Sequence, residues 1–239
     1  MSDSRPVGFF DSGIGGTCIL AAFRSICPAE RTVYLADSEH CPYGNRPPEE
    51  IIRLSEANTA ELLAKGCKMI VVACNTATAA AIDTLRKNHP ETPFIGLEPA
   101  VKPAALKSKT GIVAVLATAG TFNGRLYNET KAKFAKNVTV IAAVADEFVD
   151  EVEKLKGFPV SELGRPERSR LERIVRAKIE PLVAAGADHI VLGCTHFPHL
   201  KPLIEEIAGD SVTVVDPSMA VARQARRVLE ERGLLAEAT

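Results

Sequence analysis

Short apolar runs alternate with longer segments of mixed polarity along the whole chain. The runs are rich in Val and Ile, which is typical of strands buried on both faces, and the segments between them carry apolar residues at helical spacing. Strands are predicted at residues 7–10, 32–36, 69–73, 94–96, 112–116, 138–142, 189–193 and 212–215. Helices are predicted at residues 18–26, 48–65, 75–88, 121–134, 146–155, 166–185, 199–208 and 219–232. This alternation predicts parallel sheets with helices on both faces.

The same order of elements occurs twice, which predicts an α/β protein of two doubly wound parallel-sheet domains related by an internal duplication. Residues 1–97 and 217–239 are assigned to the first domain, because the last helix is expected to return and cover an exposed face of that domain. Residues 98–216 are assigned to the second domain. Since ligands bind beyond the carboxyl ends of parallel strands, the active site is expected in a cleft between the two domains.

Composition narrows the function only loosely. With 239 residues, 46% of them hydrophobic, the chain can bury a substantial core. The net charge of −1 and the dispersed basic residues favour neither a nucleic-acid partner nor an anionic membrane. No apolar run approaches the roughly 20 residues of a membrane span, and no apolar signal region follows the first residues. We therefore expect a cytoplasmic protein that acts on a small molecule.

Two of the six cysteines occupy equivalent places in the pattern. Cys74 follows the third strand of the first half and precedes a helix, and Cys194 follows the third strand of the second half, before a helix expected near residue 199. The N–H groups at a helix N-terminus favour the thiolate, which lowers a pKa that is about 8.5 in a free thiol. Without an export signal or a C-x-x-C pair, all six cysteines are expected to be reduced.

Polar residues follow other strands in the same way. The segment Asp11-Ser12-Gly13-Ile14-Gly15-Gly16-Thr17 directly follows the first strand, where backbone N–H groups can bind a carboxylate or a phosphate. It lacks the third glycine of a dinucleotide fingerprint and a Walker lysine. Asp11 is placed to take or steer a proton. Tyr43, Gly44 and Thr118 lie in turns that follow strands and are candidates for positioning a substrate.

Three chemistries compete for the cysteine pair. A metal site would use Cys194, His196 and His199 with help from Cys74, but this spacing is not that of a regular structural zinc site. A redox pair would need an attacking and a resolving thiol, and the two sites are too alike for that division. Acid–base chemistry fits best, because two groups of similar basicity on opposite sides of a tetrahedral carbon can invert it. Such a pair would share one proton.

Four segments resemble the signature segments of glutamate racemases, in the aspartate/glutamate racemase superfamily, and occur in the same order. They are Phe10-Asp11-Ser12-Gly13-Ile14-Gly15-Gly16, Pro42-Tyr43-Gly44, Ala73-Cys74-Asn75-Thr76-Ala77 and Gly193-Cys194-Thr195-His196-Phe197-Pro198. The resemblance runs from about Val7 to Val228. One departure is His40, which stands where the family usually carries an arginine.

The resemblance implies cofactor-independent interconversion of L- and D-glutamate, with no metal, by a homodimer. The D-glutamate would supply peptidoglycan biosynthesis, and through it cell wall biogenesis and cell shape. Cys74 would take the α-proton from D-glutamate with help from Asp11, and Cys194 would take it from L-glutamate with help from His196. Glu153 matches an additional acidic residue of the family, with Glu147 and Glu151 as nearby alternatives. The implied substrate-binding residues are Asp11, Ser12, Tyr43, Gly44, Asn75, Thr76, Thr118, Thr195 and His196.

Two alternatives to a glutamate racemase stay open at this point. One is a related racemase of aspartate or of broad specificity. The other is a catalytically silent protein that binds a small dicarboxylate. A decarboxylase of the same superfamily needs only one thiol, so the presence of both Cys74 and Cys194 disfavours it.

Overall fold

The computed structural model describes residues 3–135 and 137–236. All the predicted strands are found in this part of the chain, where β-branched and apolar residues run together. They are β1 (Val7–Asp11), β2 (Thr32–Ala36), β3 (Met69–Val72), β4 (Phe94–Ile95), β5 (Ile112–Ala117), β6 (Thr139–Val144), β7 (His189–Leu192) and β8 (Thr213–Val215). None of the helices described there combines the length and the apolarity that a membrane span needs.

The helices follow the strands in alternation. They are α1 (Thr17–Ile26), α2 (Pro48–Ala64), α3 (Asn75–Asn88), α4 (Val101–Lys107), α5 (Ala119–Phe122), α6 (Arg125–Phe134), α7 (Asp146–Leu155), α8 (Arg165–Ala184), α9 (Lys201–Ala208) and α10 (Ser218–Glu231). Short 3-10 helices cover Val160–Glu162 and Phe197–Leu200.

Within the described residues the strands form two four-stranded sheets with the same internal order. The first sheet runs β2-β1-β3-β4 and the second runs β6-β5-β7-β8, and every pairing is parallel. The third strand of each half therefore lies beside the first strand of that half. The predicted fold class, two doubly wound α/β sheets related by duplication, is confirmed.

The first compact unit comprises Met1–Leu97 and Ser218–Thr239, of which residues 1, 2 and 237–239 lie outside the described part. Its core contains Phe9 of β1, Phe23 of α1 and Leu229 of α10. The rings of Phe9 and Phe23 pack with their centroids 5.3 Å apart. Helix α10 lies against α1 and so returns the end of the chain to the first sheet.

The second compact unit comprises Glu98–Pro217, and it contains a helix that the sequence did not predict. Helix α4 lies just after the predicted domain boundary, and it tolerates Pro103 because this residue is in its first turn, where a missing N–H costs nothing. Its Val101 and Ala104 are buried in a core that also contains Val113 and Val191.

One predicted helix is split in two. The segment predicted as a single helix over residues 121–134 forms α5 and α6, because Gly124 is extended, with φ −69° and ψ 141°. The Asn128 side chain donates to the carbonyl oxygens of Phe122 and Gly124 at 3.1 and 2.9 Å. Glycine has a low helix propensity, and the amide pairs with carbonyl groups that the break leaves open.

A buried ion pair fixes the start of β3 in the first unit. Lys68 Nζ lies 2.8 Å from Glu30 Oε2, and the two side chains are 0% and 1% exposed. Lys68 Nζ also donates to the carbonyl oxygen of Asp3 at 2.6 Å, and Glu30 Oε1 accepts the N–H of Ala236 at 2.6 Å. The pair therefore ties segments near both ends of the chain to the strand that leads to Cys74.

We expect Lys68→Met to lower the free energy of unfolding by about 3–5 kcal/mol, because it leaves the Glu30 carboxylate buried without its cation. Urea denaturation measures this change. Lys65→Met is the matched control, since Lys65 lies 3.5 Å from Glu61 and both side chains are at least half exposed. That substitution should cost below about 1 kcal/mol. Equal costs for the two variants would contradict a structural role for the buried pair.

Candidate active site

Cys74 lies between β3 and α3, as predicted. Its backbone is extended, with φ −140° and ψ 122°, and it caps α3 by accepting the N–H of Ala77 on Sγ at 3.4 Å. The thiol is buried and lies 4.0 Å from the hydroxyl oxygen of Ser12. Negative charge on this sulfur is stabilised by the N-terminal end of α3.

Asp11 organises the glycine turn that follows β1. Its carboxylate is fully buried and accepts the N–H of Ser12 at 2.7 Å and the N–H of Gly16 at 2.6 Å. The Ser12 hydroxyl also lies within 3.4 Å of Asp11 Oδ1. A Cβ on Gly16 would lie 2.8 Å from Ala73 Cβ, so the turn approaches the end of β3 more closely than any other residue permits. Asp11 thereby places Ser12 beside Cys74.

Asn75 and Thr76 follow Cys74 at the start of α3, and both are buried. Among the described residues neither Nδ2 nor Oδ1 of Asn75 has a hydrogen-bond partner, although the residue is only 3% exposed. A buried amide left unpaired costs about 1–3 kcal/mol, so the Asn75 side chain is a candidate for contact with a polar ligand.

Tyr43 is anchored in the same unit through its hydroxyl. The O–H donates to the carboxylate of Asp37, and the oxygen accepts the Asn58 amide at 3.1 Å. Burial, followed by the hydrogen bond and the charge of Asp37, raises the pKa of Tyr43. The phenol therefore stays protonated, and Gly44 follows it in the loop between β2 and α2.

Cys194 follows β7 in the second unit, but its surroundings differ from those of Cys74. The helix expected near residue 199 begins at Lys201, and a turn and the 3-10 helix Phe197–Leu200 precede it. Cys194 Sγ lies 3.7 Å from His196 Nδ1. The expected similarity of the two thiols is therefore wrong in this respect, because Cys194 contacts an imidazole where Cys74 contacts a helix N-terminus.

In the second unit Glu153 contacts His196, which in turn contacts Cys194. Its Oε1 lies 2.6 Å from His196 Nε2, and the imidazole is 2% exposed. The neighbouring acids have other partners: Glu151 pairs with Lys154 and Arg170, and Glu147 pairs with Lys178. The geometry therefore favours Glu153 over the two alternatives.

The partners of Glu151 explain why the pKa of its carboxyl is lowered. Burial raises the pKa of its carboxyl, but the hydrogen bonds from Lys154 and Arg170 together outweigh burial and hold the pKa below its usual value. Glu151 is thus an ionised structural acid, distinct from the one that contacts His196.

Threonine hydroxyls lie beyond the strand ends of the second unit. Thr118 follows β5, and its hydroxyl lies 3.0 Å from that of Thr121. Thr195 is buried next to Cys194. Asp146 Oδ1 accepts the N–H of Ala119 at 3.3 Å and so holds the Thr118 turn, and burial raises the pKa of this carboxyl.

The structure groups the predicted residues by unit. At the carboxyl ends of the first sheet lie Asp11, Ser12, Tyr43, Gly44, Cys74, Asn75 and Thr76. At those of the second sheet, with α7, lie Thr118, Glu153, Cys194, Thr195 and His196. Among the described residues Cys194, His196 and His199 are not grouped within reach of one metal ion. All six cysteines are free thiols.

Three residues that hold the loops of the site were not predicted from the sequence: Asp37, Asn58 and Asp146. A signal existed for the two acids, because they follow the second strand of their sheets by one and two residues. Asn58 is one polar residue on the buried face of a long helix, and nothing in the sequence distinguishes it from its neighbours.

The sequence profile of the Asp/Glu/Hydantoin racemase family matches residues 17–225. This chain belongs to that family. The glutamate racemase of Roseiflexus sp. strain RS-1 is 44% identical over 237 residues, which cover 98% of this chain and 84% of the relative. That of Ectopseudomonas mendocina strain ymp is 42% identical over 231 residues, 97% of this chain and 84% of the relative. The resemblance drawn from the four segments is confirmed, and with it the enzyme class of a racemase among the isomerases.

Solved structures of glutamate racemases are similar to the structure of this chain. The Escherichia coli glutamate racemase in complex with L-glutamate and the activator UDP-MurNAc-ala has a TM-score of 0.82 and 31% identity, over 98% of this chain and 84% of that one. The glutamate racemase from Francisella tularensis in complex with D-glutamate has a TM-score of 0.82 and 29% identity, over 99% and 85%. The two-sheet architecture is thus that of this racemase family.

We expect Gly193→Ala to destabilise the second unit by about 1–3 kcal/mol, as overpacking of a closed contact does. The new Cβ would lie 2.8 Å from the carbonyl oxygen of Leu116 and 3.0 Å from Ala117 Cβ, both on the neighbouring strand β5. Urea denaturation measures the loss. In the control Gly164→Ala, the close contact of the Cβ is with the flexible end of Glu167, and the cost should stay below about 1 kcal/mol. An unchanged stability of Gly193→Ala would contradict the close packing.

Proposed function

We propose that the protein interconverts L- and D-glutamate by a two-base mechanism in which Cys74 and Cys194 are the bases. One observation carries the proposal: two units of the same strand order each hold a buried cysteine just beyond the third strand, beside groups that handle a proton. The names of the relatives and the ligands in the two similar structures support glutamate as the substrate.

The chemistry moves one proton at a time. One thiolate takes the α-proton, so that the Cα–H bond breaks and its electron pair stays on the α-carbon. The other thiol then donates its proton to the opposite face, which inverts the carbon. The mechanism requires both sulfur atoms to reach opposite sides of the same carbon, and the predicted cleft between the domains remains part of this proposal. In this proposal Cys74 takes the α-proton from D-glutamate, and Cys194 takes it from L-glutamate.

The two cysteines are stabilised as thiolates in different ways. Cys74 becomes a thiolate with support from the N-terminus of α3, and its proton can pass toward Ser12, whose hydroxyl points at Asp11. Asp11 assists by fixing this hydroxyl.

On the other side, the Glu153 carboxylate holds the His196 proton on Nε2, which leaves Nδ1 facing the Cys194 sulfur as an acceptor. His196 can therefore hold the thiol proton, with Glu153 stabilising the imidazolium.

The substrate is held by the polar groups around the two thiols. Asn75 offers an unpaired buried amide, which can bind both a carboxylate and an ammonium group. The remaining residues proposed to bind the substrate are Asp11, Ser12, Tyr43, Gly44, Thr76, Thr118, Thr195 and His196. No cofactor is needed, because the two thiols supply both proton transfers.

We extend the proposal to the biological role that the family resemblance implies. The D-glutamate would feed peptidoglycan biosynthesis and through it cell wall biogenesis and cell shape. A homodimer is proposed for the assembly, since two-fold dimers are the commonest oligomers.

One experiment tests the function against its alternatives. The purified, reduced protein is incubated with L-glutamate in heavy water, and circular dichroism and α-deuterium uptake are followed. Loss of ellipticity together with deuterium uptake supports the racemase. Absence of both signals with L-glutamate rejects it and favours a silent dicarboxylate-binding protein. A parallel incubation with L-aspartate identifies a racemase of other or broader specificity.

Cys74→Ala and Cys194→Ala should each lower kcat/KM for racemisation by at least about a hundredfold, because each removes one of the two acid–base groups. The loss should be the same from L- and from D-glutamate, since the equilibrium constant between enantiomers is one. The matched control is Cys27→Ala, a buried thiol in the core of the first unit, which should keep the parent rate. Racemisation at the parent rate by either of the first two variants would exclude the two-base scheme.

Glu153→Gln should lower kcat/KM about tenfold or more in both directions, because the amide cannot stabilise a His196 imidazolium as a carboxylate does. Racemisation of each enantiomer is followed by circular dichroism. Glu151→Gln removes the same charge two residues away and should retain the parent kcat/KM, since Glu151 pairs with Lys154 and Arg170. If both variants lose activity equally, Glu153 has no special role at His196.

A further inference from the structure

A hydrogen-bonded network in the first unit holds the loop that carries Tyr43 and Gly44. Asp37 is the first residue after β2, and its carboxylate accepts the Tyr43 O–H through Oδ2 and lies 2.7 Å from His40 Nδ1 through Oδ1. Asn58 of α2 donates its amide to the Tyr43 oxygen at 3.1 Å. We refer to Asp37, Tyr43 and Asn58 as the Tyr43 network.

The network takes the only proton of the Tyr43 hydroxyl and one acceptor position of its oxygen. A phenol has one proton to give, and here that proton goes to Asp37, while Asn58 occupies an acceptor position of the oxygen. Tyr43 is 1% exposed. The hydroxyl is therefore an internal anchor, and what Tyr43 offers to a substrate is its ring and its backbone.

Both partners of Tyr43 are themselves fixed. The Asp37 N–H donates to the Asp11 carbonyl oxygen at 2.9 Å, which ties the network to the tip of β1. Asn58 lies on the buried face of α2 and is 8% exposed. A buried polar side chain inside a helix needs a specific partner, and the tyrosine oxygen accepts the Asn58 amide.

We propose that Asp37 and Asn58 are positioning residues of the proposed glutamate site, which hold the Tyr43-Gly44 segment in its substrate-binding position through the Tyr43 hydroxyl. This inference rests on the proposed function, because it concerns the same site. In this proposal the tyrosine hydroxyl anchors the loop, and the backbone beside it contacts the substrate.

The electrostatics of the tyrosine agree with this geometry. After burial and the Asp37 interactions, the charge of the Cys74 thiolate contributes to the raised pKa of Tyr43. The phenol thus lies close enough to Cys74 to sense its charge. Asp37 accepts the phenol proton, so this proton is not donated to the proposed base.

The test compares Asp37→Asn, Asn58→Ala and Tyr43→Phe with the double variant Asp37→Asn/Tyr43→Phe. Each single variant should raise KM for glutamate about tenfold, the effect of losing one hydrogen bond to a charged or buried group, with kcat changed less. In the double variant KM should equal that of Tyr43→Phe, because Asp37 acts through the hydroxyl that is already gone. The control Glu61→Gln, an exposed acid on α2, should keep the parent KM.

A second measurement examines the Tyr43 network without an activity assay. Carbon-13 labelling at Cζ gives one NMR signal for each of the three tyrosines, and Tyr43→Phe identifies the signal of Tyr43. Asp37→Asn should shift that signal at neutral pH, because the phenol then loses the carboxylate that accepts its proton.

The outcomes separate this inference from the proposed function. KM changes that multiply in the double variant, or a Tyr43 signal with the same chemical shift in Asp37→Asn and in the parent, overturn the positioning role. A parent protein that does not racemise glutamate overturns the proposed function, and the Tyr43 signal then decides by itself whether Asp37 controls the hydroxyl.

Discussion

Parallel pairing of the third strand with the first strand is the constraint on which the site depends. The Ala73 N–H donates to the Phe10 carbonyl oxygen at 2.8 Å, and the Gly193 N–H donates to that of Leu116 at 2.7 Å. Each cysteine is the next residue after these bonds. The same bonds place Ser12 and Thr118 at corresponding positions two residues after the acceptor. Backbone register therefore brings a thiol and a hydroxyl to the carboxyl end of each sheet.

Close packing at these strand ends leaves little room for side chains. Gly16 and Gly193 both lie where a Cβ would come within 3.0 Å of a neighbouring strand or loop. The small residues let the loops approach the strands, and the approach brings polar side chains beside the sulfur atoms. The glycine turn after β1 is thus a packing feature as well as a source of N–H groups, since two of its N–H groups bind Asp11.

The two sheets have the same strand order, but the surroundings of the two thiols differ. Cys74 caps α3, whereas Cys194 contacts His196, which in turn contacts Glu153. The difference arises because α3 begins directly after Cys74, while turns and a 3-10 helix separate Cys194 from α9. A helix N-terminus and a histidine–carboxylate pair are two ways of stabilising a thiolate. The sheet order is shared, and the local chain geometry is not.

Sequence alone was sufficient for the strands, most helices, the fold class and the places of Cys74 and Cys194 after the third strands, because apolar periodicity and the position of a residue after a strand are local properties. It failed at α4, which was not predicted, and at the break between α5 and α6. The contact of Glu153 with His196, the choice of that acid over Glu151, and the anchoring of Tyr43 by Asp37 and Asn58 were decided only by the tertiary structure. These contacts join residues 6 to 43 positions apart, and their distances depend on how helices α2 and α7 pack on their sheets.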